Sequence, residues 1–320
     1  MRLFSRVPVW SSPPFFVRRQ RMAILHQLAN LHGSFSLSVN SKKVTSDILY
    51  RQFPRHLTGL HSLYTVPAMT SKNPTVASSP TAGKGVVIDR TADILTFTLD
   101  NPSHGNEVTG AMFDAMLAEL RKEASQPRAR VLRIRARGNV FCTGRERAGR
   151  TPAAIRRESA RILKLKAALR STPLISIAEV QGHAFGFGFG LAIVCDFALV
   201  AEHASLAFPE MRSGLAPVAI LSYLDEYTLP RFAFPLVLLG EPIDPHRAQQ
   251  IGLISQVCPA DRLSAEADAL VERILRLDAS AVGHCKSFFL NAQQNSFDQN
   301  CRLAVDALTK GSLALLERKK

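Results

Sequence analysis

The sequence predicts an α/β chain, and three observations carry that prediction. Strand–strand–helix units follow one another from Lys84 onward, and after Pro209 the pattern is mainly helical. Between them, two glycine-bearing turns each join an apolar strand to a helix. No internal sequence repeat is visible.

GVVIDR and ADILTFTLD alternate as strands of a hairpin that ends at Asn101-Pro102. Met112, Phe113, Met116, Leu117 and Leu120 then repeat at helical spacing. RVLRIRARG reads as a strand and residues 152–170 as a basic helix. PLISIAEVQG is an apolar strand that runs into the glycines, with DFALVAE and ASLAF as two further short strands. Asp244-Pro245 forms a cap and first-turn pair, with Gly252 closing that helix. Leu263, Ala267, Leu270, Val271 and Ile274 make one apolar stripe, and two more helical segments complete the chain.

The 320 residues are 46% hydrophobic and 21% charged, values of a globular chain. Of the net charge of +14, residues 1–83 carry +9, from ten Lys/Arg against the single acid Asp47. This Ser/Pro/Arg-rich segment has no sustained period and is expected to be disordered. It is either an over-long gene start, with translation from Met69, or a targeting segment of mitochondrial type. The first reading places the protein in the cytoplasm and the second in the mitochondrial matrix. The expected organisation is this leader (1–83), an α/β core (84–255) and a C-terminal helical region (256–320). Five widely spaced cysteines without CxxC or Cys/His spacing support neither a disulfide framework nor a metal site. The run Ala184 to Ala201 holds three glycines and Asp196 within it and reads as a buried turn and helix, not a membrane span.

Chemistry is expected at the two turns, Phe141-Cys142-Thr143-Gly144-Arg145-Glu146 and Gln181-Gly182-His183-Ala184-Phe185-Gly186-Phe187-Gly188-Phe189-Gly190. Such turns can aim backbone N–H groups and a helix N-terminus at a developing negative oxygen. The dinucleotide fingerprint GxGxxG fails here, because Leu191 stands where its last glycine is needed. Close strand-to-helix packing explains either turn equally well when each is taken alone.

Taken with FCTGRE, VQGHAFGFGFGLAIVCD, ASLAFPEMRSGLAP and LLGEPIDPHRAQQIGLISQV in that order, the chain resembles the enoyl-CoA hydratase/isomerase (crotonase) superfamily over roughly residues 85–300. The resemblance implies a crotonase-like ββα spiral core with a C-terminal helical region, assembled as a homotrimer or hexamer. It implies an acyl-CoA thioester as substrate, no further cofactor, and two backbone N–H donors that hold the thioester oxygen as an enolate. Those donors fall on Arg145 and on Phe187, where the family has glycine, or with a local slip on Gly188. Thr143, Gly144 and Gly186 would line the substrate, and Lys286 is a candidate phosphate ligand. Asn106, in NPSHGNEV, matches a structural asparagine of the family.

Hydratases of this family grip a water between two glutamates. One matches Glu210 in Phe208-Pro209-Glu210, while the other position is occupied by Gly190. Hydration needs a base for the water and an acid for the α-carbon, whereas moving a double bond needs one group that removes and returns a proton. Glu210 has apolar neighbours in Leu206, Ala207, Phe208 and Pro209, a setting suited to a general base. Glu146, Asp225 and Glu226 are possible substitutes for the missing acid, though Glu146 reads as structural and the other two as a solvated face. Asp196 reads as a turn cap and His183 as a turn filler. Residues 121–170 hold 16 Lys/Arg against Glu123, Glu146 and Glu158, which could draw in a CoA phosphate or RNA but as a charge run reads as a solvated face.

The expectation is therefore an enzyme of enoyl-CoA isomerase type with Glu210 as its single base, or alternatively a hydratase. The rival from another class is a catalytically weak acyl-CoA- or RNA-binding scaffold. Membrane insertion is not expected, and nucleic acid is the less expected partner.

Overall fold

The computed structural model describes residues 81–83 and 85–318. The expectations for the leader up to Pro80 lie outside the described residues. Seven strands form one sheet in the order β1 (Thr81–Gly83), β2 (Val86–Arg90), β3 (Ile94–Leu99), β4 (Val131–Ala136), β6 (Ile175–Val180), β8 (Phe197–Ala201) and β10 (Gln256–Cys258). β1, β2 and β3 are antiparallel, and from β3 onward every pairing is parallel. A second sheet, entirely parallel, consists of β5 (Val140–Cys142), β7 (His183–Phe185) and β9 (Leu206–Ala207). The chain thus alternates one strand in the large sheet, one in the small sheet and then a helix or turn. That alternation is the ββα spiral of the crotonase fold.

Two boundaries differ from the sequence reading. The large sheet begins at Thr81, inside the segment assigned to the leader, and β10 carries it past residue 255 to Cys258. Both are short edge strands of three residues, too brief to show alternation in sequence. Of the small sheet only β9 was anticipated, within ASLAF; β5 and β7 are three residues long and lie within what reads as turns.

The first helix, α1 (Gly110–Ser125), starts at Thr109, whose hydroxyl accepts from the Met112 N–H, and buries the stripe anticipated from its spacing. α2 (Pro152–Ser171) buries Ile162, Leu165, Lys166 and Leu169, at i, i+3, i+4 and i+7 of one face. α3 (Phe187–Val194) is buried along its whole length. Beyond it come α4 (Val218–Leu221), α5 (Pro230–Leu239) and α6 (Pro245–Gln250), the last capped by Asp244, whose carboxylate accepts from the Arg247 N–H. α7 (Leu263–Leu275) buries Leu263, Ala267, Val271 and Ile274 against β4, β6, β8 and β10. α8 (Ala279–Ala292) and α9 (Phe297–Glu317) complete the helical region.

Asn106 is fully buried in a left-handed conformation (φ 55°). Its side chain accepts from the Asn101 N–H at 2.8 Å and donates to the carbonyls of Arg137 and Val140 at 2.8 and 2.7 Å. Every polar atom of the amide is thereby used to tie the loop after β3 to the β4–β5 corner, a structural role.

Candidate functional site

The first turn leaves β5 at Cys142. Gly144 has φ +152°, a conformation that favours glycine, and its carbonyl accepts from the Val108 N–H at 3.2 Å. The Glu146 N–H in turn donates to the Val108 carbonyl at 3.1 Å. Arg145 lies between these bonds, and no acceptor among the described residues takes its N–H. Its guanidinium pairs with Glu158 at 3.8 Å. Thr143 is turned the other way, with its N–H and hydroxyl both donating to the Gly105 carbonyl at 2.9 and 3.2 Å.

The second turn places Gly186 at the N-cap of α3 with φ 52° and ψ −116°, and its N–H donates to the Ala207 carbonyl at 2.8 Å. The next backbone donors, those of Phe187 and Gly188, head the helix with no acceptor among the described residues. The Phe187 ring packs edge-on against Phe113 with centroids 5.0 Å apart, so its bulk goes into the core. Gly188 is required by contact: a Cβ there would stand 2.2 Å from the Cys142 carbonyl oxygen. This approach brings the two turns together.

Glu210 follows β9 on a single 3-10 turn (Pro209–Ser213) and reaches back to the second turn. Its Oε1 is 2.9 Å from where a Cβ of Gly186 would be, and its Oε2 is buried with no hydrogen-bond partner among the described residues. A buried carboxylate oxygen without a donor is costly and marks a place where a ligand or water can donate. Glu210 also lies close enough to Arg145 for their charges to interact.

Lys286 is elsewhere. Its Nζ is buried and donates to the Leu174 carbonyl at 2.6 Å and to Asp196 at 2.7 Å, so the amine is already committed and is not a phosphate ligand. Asp196 also accepts from the Ser176 N–H and hydroxyl at 2.7 and 2.8 Å, which makes it a pin between β6, β8 and α8 more than a turn cap. Lys286 borders an apolar cavity of about 730 Å³ beneath α8, whose lining includes none of Arg145, Gly186, Phe187 and Glu210. The volume is large, yet the convergent polar groups are at the turns.

Of the possible substitute acids, Glu146 lies at the start of α1 with Oε2 3.4 Å from the Gly110 N–H. Glu226 is paired with Arg170, and Asp225 is exposed. The His183 ring stacks on Phe185, and its Nδ1 accepts from the Ser205 N–H at 3.1 Å. None of these enters the site. The groups that the sequence reading missed are Lys166 of α2 and Tyr223, which converge on Gly190: a Cβ there would stand 2.5 Å from Lys166 Nζ and 2.7 Å from Tyr223 Oη. Among the described residues no cluster of His, Cys, Asp and Glu could hold a metal ion.

Comparison with known proteins settles the lineage. The family model for Enoyl-CoA hydratase/isomerase matches residues 89–311. The chain belongs to this family. It is 27% identical over 228 residues to the Xenopus laevis mitochondrial enoyl-CoA hydratase domain-containing protein 3, covering 70% of this chain and 78% of that one. It is 29% identical over 213 residues to the 2,3-dehydroadipyl-CoA hydratase of Escherichia coli, covering 65% and 83%. A Thermobifida fusca protein solved in complex with CoA superimposes with a TM-score of 0.66 at 28% identity, over 73% of this chain and 95% of that one. Fold and family thus agree with the ordered motifs in the sequence.

About half of the basic residues of the 121–170 run are paired within this fold, and most of the others are exposed. Arg133 pairs with Glu179 and Asp268, Arg161 with Asp114, and Arg137 with Asp100. Arg130 caps the end of α7 by donating to the carbonyls of Leu275 and Leu277 at 2.8 and 2.6 Å. No helix among the described residues is long and apolar enough to cross a membrane.

Proposed function

We propose that the protein binds an acyl-CoA thioester between the two turns and shifts a carbon–carbon double bond of the enoyl-CoA isomerase type. The observation that carries this reading is the convergence of partner-free N–H groups on Arg145 and Phe187 with the unpaired buried oxygen of Glu210. Two N–H donors aimed at one oxygen stabilise the negative charge that develops when an α-proton leaves. Glu210 is the base that takes that proton, and the shift is completed when a proton reaches the carbon two positions away. Gly190 stands where hydratases of the family carry the second of the two glutamates that grip a water, and the loss of that carboxylate favours the shift over hydration. Gly144 and Gly186 keep the backbone close to the thioester, while Thr143 positions the first turn through Gly105. Phe187 is preferred to Gly188 as the second donor because the unusual ψ of Gly186 orients the Gly186–Phe187 peptide.

The CoA-bound Thermobifida fusca structure supports the ligand class. A homotrimer or hexamer is supported by apolar side chains left exposed on α5, α8 and α9, among them Phe234, Phe289, Phe297 and Leu308. The mitochondrial designation of the Xenopus laevis relative, together with the Arg/Ser-rich leader, favours the mitochondrial matrix over the cytoplasm.

The test is a panel of 2-enoyl- and 3-enoyl-CoA thioesters assayed separately for hydration and isomerisation. Isomerisation is expected to exceed hydration, and Glu210→Gln to lower it by about 10²–10⁴. Phe187→Pro removes one N–H at a helix position that tolerates proline and should cost about 10²–10³ in turnover. Phe187→Ala keeps the N–H and controls for the lost ring. Faster hydration by the wild type would overturn the isomerase reading, and full activity of Glu210→Gln would move the protein toward a binding scaffold.

A further inference from the structure

Gly190 lies one turn into α3, its N–H bonded to the Gly186 carbonyl at 3.0 Å. Gly186 is the N-cap of that helix, so Gly190 lies one turn, about 6 Å, further along the axis. Glu210 stands over the first and Lys166 over the second. Lys166 is only 6% exposed, yet no acceptor among the described residues takes a hydrogen bond from its Nζ. That atom lies 4.2 Å from the Tyr223 ring centroid and 5.8 Å from that of Phe187. Tyr223 Oη is itself buried without a partner. Two donors therefore meet at Gly190 with their hydrogen-bonding capacity unspent, the Glu210 carboxylate is near enough for its charge to act on Lys166, and the partner-free Phe187 N–H heads the same helix. A fold that needed only packing at this place would put a leucine or methionine at 166.

We propose that Lys166 is the second proton-transfer group of this pocket, acting opposite Glu210 with Tyr223 holding its amine in place, and is thus a catalytic residue of the acyl-CoA reaction. The assignment rests on the double-bond shift argued above. In that reaction the Glu210 carboxylate removes a proton from C2 of a 3-enoyl thioester, and the C–H electron pair moves onto the thioester oxygen to give a dienolate. The Lys166 ammonium then gives its proton to C4. The C3–C4 pair forms the new C–H bond, the C1–C2 pair shifts to C2–C3, and the carbonyl re-forms. Glu210 has gained one proton and Lys166 has lost one, so transfer of a single proton from acid to amine through water restores the site.

Burial pushes the Lys166 amine down to about 7, against the pull of Glu210. The other charge near Glu210 is Arg145, paired with Glu158, while Arg170, one turn further along α2 from Lys166, is paired with Glu226. A donor of that acidity can release its proton near neutral pH.

The experiment follows a 3-enoyl-CoA carrying deuterium at C2, turned over in ordinary water by the full chain and by Lys166→Met. The wild type is expected to release deuterium to water and to place a solvent hydrogen at C4. Its rate should fall as pH rises through about 7, where the ammonium is lost. Lys166→Met should lower kcat by about 10²–10⁴ with KM within about threefold, should flatten that limb, and should carry deuterium from C2 to C4 in its residual turnover. Direct C2-to-C4 transfer in the wild type, or wild-type kcat in Lys166→Met, overturns the assignment. Exchange of the C2 hydrogen of a saturated acyl-CoA reads Glu210 alone and separates the two readings. If exchange persists while Lys166 proves dispensable, only the lysine assignment falls. If the wild type isomerises no 3-enoyl-CoA, the double-bond shift falls and this inference with it.

Discussion

Two buried lysines, Lys166 and Lys286, are 6% and 8% exposed, and their surroundings are opposite. Lys286 meets a carboxylate at 2.7 Å and a carbonyl at 2.6 Å, and that carboxylate is itself held by Ser176. Lys166 meets two aromatic rings and an unpartnered hydroxyl. A buried ammonium is costly in water-free surroundings unless it is paired and hydrogen-bonded. Lys286 satisfies that condition and fastens α8 to the sheet. Lys166 does not: it forms no ion pair among the described residues, although Glu210, whose buried Oε2 has no partner, is near enough for their charges to interact. Burial alone does not separate a structural lysine from a functional one; the partners do.

The largest effect is expected where the pairing is complete. Lys286→Met removes the cation and leaves Asp196 with only Ser176 to answer its charge. It should destabilise the fold by about 4 kcal/mol, read as a fall in chemical-denaturation midpoint, with turnover per folded molecule unchanged. A variant that lost activity at full stability would return Lys286 to the ligand candidates.

The opposite sign is expected at Lys166. The folded chain holds this amine at about 7, below the ordinary lysine value of 10.5. Between those two values the unfolded chain carries a proton that the folded chain lacks, so this group makes stability rise with pH across that window. Below about 7 its full penalty applies in the folded state. Lys166→Met should therefore gain on the order of 3 kcal/mol at pH 6 and progressively less toward pH 10. Paired denaturation curves of wild type and variant at both values measure this, and a variant less stable than wild type at pH 6 would mean that the amine has a partner.

The same contrast shows what was legible in the sequence. Glu210, Gly144 and Gly186 could be read because each belongs to a contiguous motif whose neighbours fix its place. Lys166 comes from a different helix than Gly190 and sits among the 16 basic residues of the 121–170 stretch, where it reads as one more solvated charge. A signal was nonetheless present: Ile162, Leu165 and Leu169 define an apolar face, and Lys166 falls on it. Lys286 was singled out for its chemistry alone, and nothing local announces Asp196, 90 residues away, as its partner. The α/β class followed from patterning and the ββα spiral from the resemblance, while two strands of the small sheet, β5 and β7, escaped because three residues carry no period.

The smallest and most diagnostic change would make the second lysine resemble the first. Gly190→Glu places a carboxylate where Lys166 now lacks one. The new Cβ would start 2.5 Å from Nζ, the far end of a flexible side chain that can withdraw, and 2.7 Å from Tyr223 Oη, whose buried ring must shift as well. Replacing a mid-helix glycine also favours the helix by up to about 1 kcal/mol, which offsets part of the crowding. The net stability change should therefore be about 1 kcal/mol or less. The ionisation should move much further. An opposite charge within a few ångströms favours the ammonium, so the Lys166 amine should rise from about 7 toward 10.5, and the pH-dependent part of the wild-type stability should shrink with it. Side-chain NMR titration of the lysine reads the first effect and denaturation at pH 6 and pH 10 the second. If the amine still titrates near its wild-type value in this variant, the carboxylate and Lys166 do not meet at Gly190, and the contrast between the two lysines loses its geometric basis.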